Sequence, residues 1–202
     1  MEYAIHKLTF AEGRAYRYQV VDKEGKVRYI AEPTGLLLPT PTHQVTFFDA
    51  DHQPLARLEP LATSPWRWTR TFILLLEEET ESATAIEERW TLVDRLLLRL
   101  PTYTLRVGSY TYAARGRRYG EALYELFEPP PATEPSQEAE EEPSEGLQAP
   151  PEVEEIPPKK VGEVLHPPVG PSYMVLVEAA PLRQAPLVLT AFVVLIDLHL
   201  YG

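Results

Sequence analysis

Cysteine is absent from the 202 residues, which excludes disulfides, thiol nucleophiles and thiolate zinc sites. Asparagine is absent too, methionine occurs twice, and arginine outnumbers lysine 14 to 5. Depletion of thermolabile side chains points to a thermophilic source; GC-rich coding is the other account of the arginine excess. At the start, Met1-Glu2-Tyr3-Ala4, no basic stretch precedes an apolar run. Nothing there reads as a signal peptide, and a cytoplasmic location is expected. Positive charge is in deficit, with a formal net charge of −11. The deficit is local, since ten glutamates and no basic residue fall between Glu128 and Pro158, and the rest of the chain carries only about −1. Nucleic-acid binding needs a basic surface and is not expected. The five histidines, His6, His43, His52, His166 and His199, show no HxH or HExxH spacing. Gly-rich phosphate loops and GxSxG are missing as well. No catalytic residue, metal or cofactor is therefore expected, and the chain reads as non-enzymatic.

What is present is a succession of short strand signals. Tyr16 to Val20 alternates large and polar residues, meets a turn at Asp22-Lys23-Glu24-Gly25, and alternates again from Lys26 to Ile30. Gln44 to Phe48 and Pro54 to Leu58 flank a second turn from Asp49 to Gln53. Trp66 to Arg70 runs into the apolar Phe72 to Leu76, and an acidic loop follows at Glu77 to Ser82. Further strands are expected in Arg89 to Leu100, Thr102 to Val107, Tyr110 to Ala114, Ala122 to Phe127 and Tyr173 to Val177. Many short strands at regular spacing predict a sandwich or barrel.

Residues 128–168 break the pattern, with prolines at both ends and glutamates between. Such a stretch has too little apolar bulk to offset the entropy of ordering. It reads as a disordered insertion within one domain spanning 1–202. The last segment, Leu187 to Leu200, follows Pro186, a favourable first helical residue. Wound as a helix it is apolar on every side up to Ile196, which places it in a core or a membrane. Fourteen residues span roughly 21 Å, against a bilayer core of about 30 Å, and Asp197 would lie inside the span. A buried helix surrounded by strands is the better account, and no transmembrane segment is expected. A closed antiparallel barrel provides such a host.

Three runs carry a resemblance. Ala15 to Val27 (AYRYQVVDKEGKV) resembles the early hairpin of the tubby C-terminal-like and phospholipid scramblase group, which includes the LURP-one-related proteins. Val45 to Pro60 (VTFFDADHQPLARLEP) is similar to their next hairpin. Thr190 to Asp197 (TAFVVLID) is similar to their terminal apolar helix. The resemblance covers residues 1–127 and 169–202, and it implies a mainly β fold, a barrel of about twelve strands around the C-terminal helix. Scramblase-like proteins have an acidic, calcium-associated loop before that helix. Here Glu178 to Ala185 holds one acid and one base, so the calcium site does not carry over. Palmitoylation is excluded by the absence of cysteine.

Tubby-like domains bind phosphoinositide head groups through lysine and arginine. The dense basic cluster of this chain is Arg115, Arg117 and Arg118, which are the candidate ligand-binding residues. Guanidinium groups pair bidentately with phosphate or carboxylate oxygens, and Gly116 and Gly120 would let a ligand approach the backbone. The competing reading is an exposed hairpin turn. Asp49-Ala50-Asp51-His52 reads as a solvated turn because the other ligands of an EF-hand loop are missing. Glu87-Glu88-Arg89 and Asp94-Arg95 read as solvated strand faces, and Trp66 and Trp68 as packing residues. Asp197, if buried, requires a donor such as a backbone N–H or an arginine. The expected role is a binding module for an anionic ligand, a lipid head group or a protein partner. The alternative is a peripheral, lipid-interacting protein of scramblase type, and an enzyme comes last.

Overall fold

The computed structural model describes residues 2–10, 15–34, 43–61, 69–77, 84–97, 99–117, 122–128, 158–166 and 172–201. Twelve strands form a closed barrel: β1 (Glu2–Phe10), β2 (Ala15–Asp22), β3 (Val27–Pro33), β4 (Val45–Asp49), β5 (Pro54–Pro60), β6 (Thr69–Leu76), β7 (Thr84–Arg89), β8 (Thr102–Val107), β9 (Tyr110–Gly116), β10 (Ala122–Glu128), β11 (Lys159–Leu165) and β12 (Ser172–Val177). Each is antiparallel to its sequence neighbours, and β1 closes the ring on β12 through pairs such as Ala4 with Met174. Among the described residues three helices complete the fold: α1 (Leu92–Leu96) between β7 and β8, α2 (Ala180–Arg183), and α3 (Pro186–Tyr201).

Alternation along each strand sends one set of side chains inward. Ile5, Tyr18, Val45, Phe47, Leu58, Phe72, Ile86, Leu105, Tyr124 and Val175 are all buried. They surround α3, whose residues Val188 to Leu198 are buried without a break. A helix apolar on all sides needs a partner on all sides, and the closed sheet supplies it. Phe192 sits edge-on to Tyr103 and Tyr124, with ring centroids 5.2 and 5.4 Å away. Among the described residues no helix is long and apolar enough to cross a membrane.

The β2–β3 and β4–β5 turns share one device. Asp22 Oδ1 accepts from the backbone N–H of Glu24 and Lys26, and Asp49 Oδ1 accepts from those of Asp51 and Gln53. Each turn needs a left-handed residue at its fourth position. Gly25 fills it with φ of 80°, and His52 fills it with φ of 61°. The Asp-Ala-Asp-His run is thus a hairpin turn.

Two expectations are corrected. Lys159–Leu165, placed by the sequence inside the insertion, is β11 and an integral part of the wall. Its pattern was hidden by a bulge: Leu126 pairs with Gly162 and Phe127 with Lys160, leaving Val161 as the extra residue. Val161 and Gly162 are both buried, so strict alternation is lost. Leu92–Leu96, read as strand, is the short helix α1. Residues 129–157 and 167–168 of the insertion lie outside the described residues, as do Trp66 and Trp68.

Candidate ligand-binding site at the far mouth of the barrel

α3 starts at one mouth of the barrel, the near mouth, where Tyr3 Oη donates to the Pro186 carbonyl. It finishes at the far mouth, where β7 gives way to α1 and β8 begins. That connection is built by a capping box. Thr91 Oγ1 accepts from Asp94 N–H at 3.1 Å, and Asp94 Oδ2 accepts from Thr91 N–H at 3.1 Å. Asp94 is therefore the reciprocal cap of α1, and the reading of it as a solvated strand residue is overturned. The cap turns the chain back so that Trp90 and Leu100 pack over the mouth, with Arg99 N–H held by the Asp94 carbonyl at 2.7 Å.

Arg70, Glu88, Trp90, Arg99, Leu100, His199 and Leu200 line a cavity of about 410 Å³ at this mouth. Glu88 was expected on a solvated face, yet it is buried, with 4% of its surface exposed. The cause is period two: Ile86 points inward on β7, so Glu88 does also. Its Oε1 accepts from Trp90 Nε1 at 2.6 Å and lies 4.0 Å from His199 Nδ1. The Trp90 and His199 rings pack 5.0 Å apart. Arg70 is the cross-strand partner of Glu88 and shares the inner face with Phe72 and Leu74, but it sits at the rim and is exposed. Burial lowers the His43 pKa below the ordinary histidine value, and the Arg70 charge lowers it further. Burial raises Tyr103 and Tyr124, and the Glu88 carboxylate adds to both shifts.

Beside this cavity α1 carries an apolar surface in water. Leu92, Val93, Leu96 and Leu97 are 62%, 52%, 73% and 53% exposed. Large exposed apolar side chains scattered singly are ordinary, but four within six residues form a patch.

The candidate arginines lie elsewhere. Arg115 is on the outer wall of β9, 5.5 Å from the Phe127 ring centroid. Arg117 Nε reaches Glu125 Oε2 at 2.7 Å, and Glu125 also holds Lys160 Nζ at 3.1 Å. The Arg117 charge is thus matched on the wall, and neither arginine lines the far-mouth cavity. Arg118 lies outside the described residues.

A second polar cluster lies in the same half of the barrel. Asp197 is buried, and its carboxylate accepts from Lys7 Nζ, Tyr18 Oη and Tyr173 Oη, each at 2.6 Å. The donors are a lysine and two phenols where an N–H or an arginine was expected. Lys7 Nζ also lies 4.0 Å from the Tyr16 ring centroid. Burial raises Tyr18 far above the ordinary phenol value, and the Asp197 charge raises it more. These contacts tie α3 to β1, β2 and β12 and fix its rotation inside the wall. Among the described residues no group of three or more acidic or histidine side chains is placed to hold a metal ion.

No protein-family model, curated protein or solved structure matches this chain.

Proposed function

We propose that this chain is a non-enzymatic binding barrel of tubby-like or scramblase-like type, and that it takes an anionic group at its far mouth. The observation that carries the reading is the pairing of Arg70 and Arg99 on one cavity with the exposed apolar helix α1 beside it. Arginine forks match phosphate and carboxylate oxygens, and Trp90, Leu100 and Leu200 supply apolar contact for the body of the same ligand. An anionic lipid surface fits both parts. Each arginine near such a surface contributes about 1 kcal/mol, and the leucines of α1 would leave water for the acyl boundary. The twelve-strand barrel around a C-terminal helix is the architecture that the resemblance implies, which supports the same reading.

Co-sedimentation with phosphatidylglycerol-containing vesicles tests the reading. Binding is expected at low salt and is lost at high salt. The double variant Arg70→Ala/Arg99→Ala should weaken it, as should Leu96→Asp/Leu97→Asp, while Arg115→Ala should change it little. Wild-type protein that stays in the supernatant at low salt would refute the proposal.

A further inference from the structure

We infer that the far-mouth site takes a zwitterion: a ligand with an ammonium group for Glu88 and an anionic group for Arg70 and Arg99. The inference rests on the anion-binding reading above and deepens it.

The geometry is a pair of opposite charges held apart. Arg70 and Glu88 are Cα partners across β6 and β7, and both belong to the inner face. Such partners have Cα atoms about 4.5–5.5 Å apart, close enough for their side chains to bridge. No ion pair between them exists among the described residues; Glu88 turns instead to Trp90 and His199, and Arg70 projects to the rim. Glu88 Oε1 takes the Trp90 N–H, while Oε2 has no hydrogen bond from any described residue. A carboxylate has about four acceptor sites, so much of its capacity faces the cavity it lines.

A buried carboxylate is unfavourable without a donor or a cation. The groups around Glu88 are Arg70 from β6, Tyr103 from β8, Tyr124 from β10, Trp90 and His43 from connections, and His199 from α3. None of these brings a permanent positive charge into contact with it. A ligand that is only anionic would meet Glu88 as a repulsive charge. One bearing an ammonium a few bonds from its anionic group would meet attraction at both ends, with the Trp90 indole as an apolar wall. Free phosphoamines and the head group of phosphatidylethanolamine share this chemistry.

The experiment compares two soluble probes, methyl phosphate and O-phosphoethanolamine, by calorimetric titration of the full chain. A vesicle arm adds phosphatidylethanolamine to phosphatidylglycerol-containing vesicles. Wild type should bind phosphoethanolamine at least about tenfold more tightly than methyl phosphate. Glu88→Gln keeps an acceptor for Trp90 and should act with opposite signs, weakening phosphoethanolamine and strengthening methyl phosphate. A purely structural role for Glu88 would move both probes in the same direction. A gain with the soluble amine alone assigns the site to a free metabolite, and a gain in the vesicle arm assigns it to a lipid head group. Equal affinity of wild type for the two probes overturns the zwitterion and leaves the anion site standing. Failure of both probes and of the vesicles overturns both.

Discussion

Asp197 shows how one residue can fix the position of an otherwise featureless helix. Every other position of α3 from Leu187 to Ile196 carries an apolar side chain or Thr190, so rotation about its axis is resisted only by shape. The carboxylate with its lysine and two phenols adds a directional constraint. Removing one partner of a buried charged cluster costs about 3–5 kcal/mol. Asp197→Ala should therefore lower the stability measured by urea unfolding by that amount, with Asp197→Asn milder because it still accepts from the tyrosines. A change below 1 kcal/mol on alanine substitution would show that shape alone seats the helix. His52 offers a change of opposite sign. It occupies the left-handed turn position that Gly25 fills in the neighbouring hairpin, and non-glycine residues there are strained by about 1 kcal/mol or more. His52→Gly should raise the urea midpoint by relieving that strain, but only slightly, because the greater freedom that glycine loses on folding offsets part of the gain. At this scale the sequence was partly readable. Asp197 stood out as a charge in an apolar run, but two of its three donors come from strands about 180 residues away and the third from β12, which no local pattern reveals. Glu88 was readable in principle, because in Ile86-Glu87-Glu88 alternation allows only one of the glutamates to face out. The basic cluster at Arg115 drew attention by density alone, and density does not show that Arg117 already has Glu125.

Elements were legible in proportion to how regular they are. The hairpins with an aspartate at the turn, and α3, could be placed because turn chemistry and an all-round apolar helix are local signals. β11 could not, since its bulge places Val161 and Gly162 side by side in the core. Gly162 is required there: a Cβ would come within 2.8 Å of the Leu176 carbonyl oxygen. α1 was missed because the β-branched and aromatic residues around the Leu96-Leu97-Leu98 run favoured strand, which outweighed the helical signal of the leucines and of the Thr91-x-x-Asp94 box. The element with the largest consequence is α3. Each fully buried large apolar side chain contributes roughly 1.5–3 kcal/mol, so Leu189, Phe192, Val193, Leu195 and Ile196 together contribute on the order of 10 kcal/mol. Whole domains have a net stability of about 5–15 kcal/mol. A chain ending at Ala185 should aggregate with no cooperative melt, and Phe192→Asp should come close to the same result. A melting curve near that of the full-length chain would refute the central role of the helix. The corrected bounds of the insertion give a paired test. Glu128 and Lys159 are Cα partners at the ends of β10 and β11, so a short turn can join them. Replacing 130–157 by a Gly/Ser linker should leave the melting temperature within a few degrees. Replacing 128–166 removes β11, opens the ring and should abolish cooperative folding.

At the scale of the molecule, the interior is lined with phenols rather than aliphatics alone, and this makes the whole barrel sensitive to alkali. Tyr3, Tyr18, Tyr103 and Tyr124 are held above the ordinary value of 10.0, in every case first by burial. Below about pH 10 these four are protonated in both the folded and the unfolded chain, and they give stability no pH dependence. Above it the unfolded chain releases their protons while the folded barrel keeps them, so the unfolded state binds fewer protons and stability falls as pH rises. Each phenol contributes a slope of about 1.4 kcal/mol per pH unit, and four together about 5.5. Against a net stability of about 5–15 kcal/mol the barrel should unfold roughly one to three units above pH 10. The measurement is phenolate absorbance recorded with circular dichroism through an alkaline titration. Phenols in contact with water should ionise first and gradually. The buried four should then ionise in one cooperative step that coincides with loss of the β signal, and both should return on neutralisation. Smooth ionisation of all eleven tyrosines with an unchanged dichroism spectrum would mean that water reaches the phenols of the folded barrel, and that α3 does not fill it.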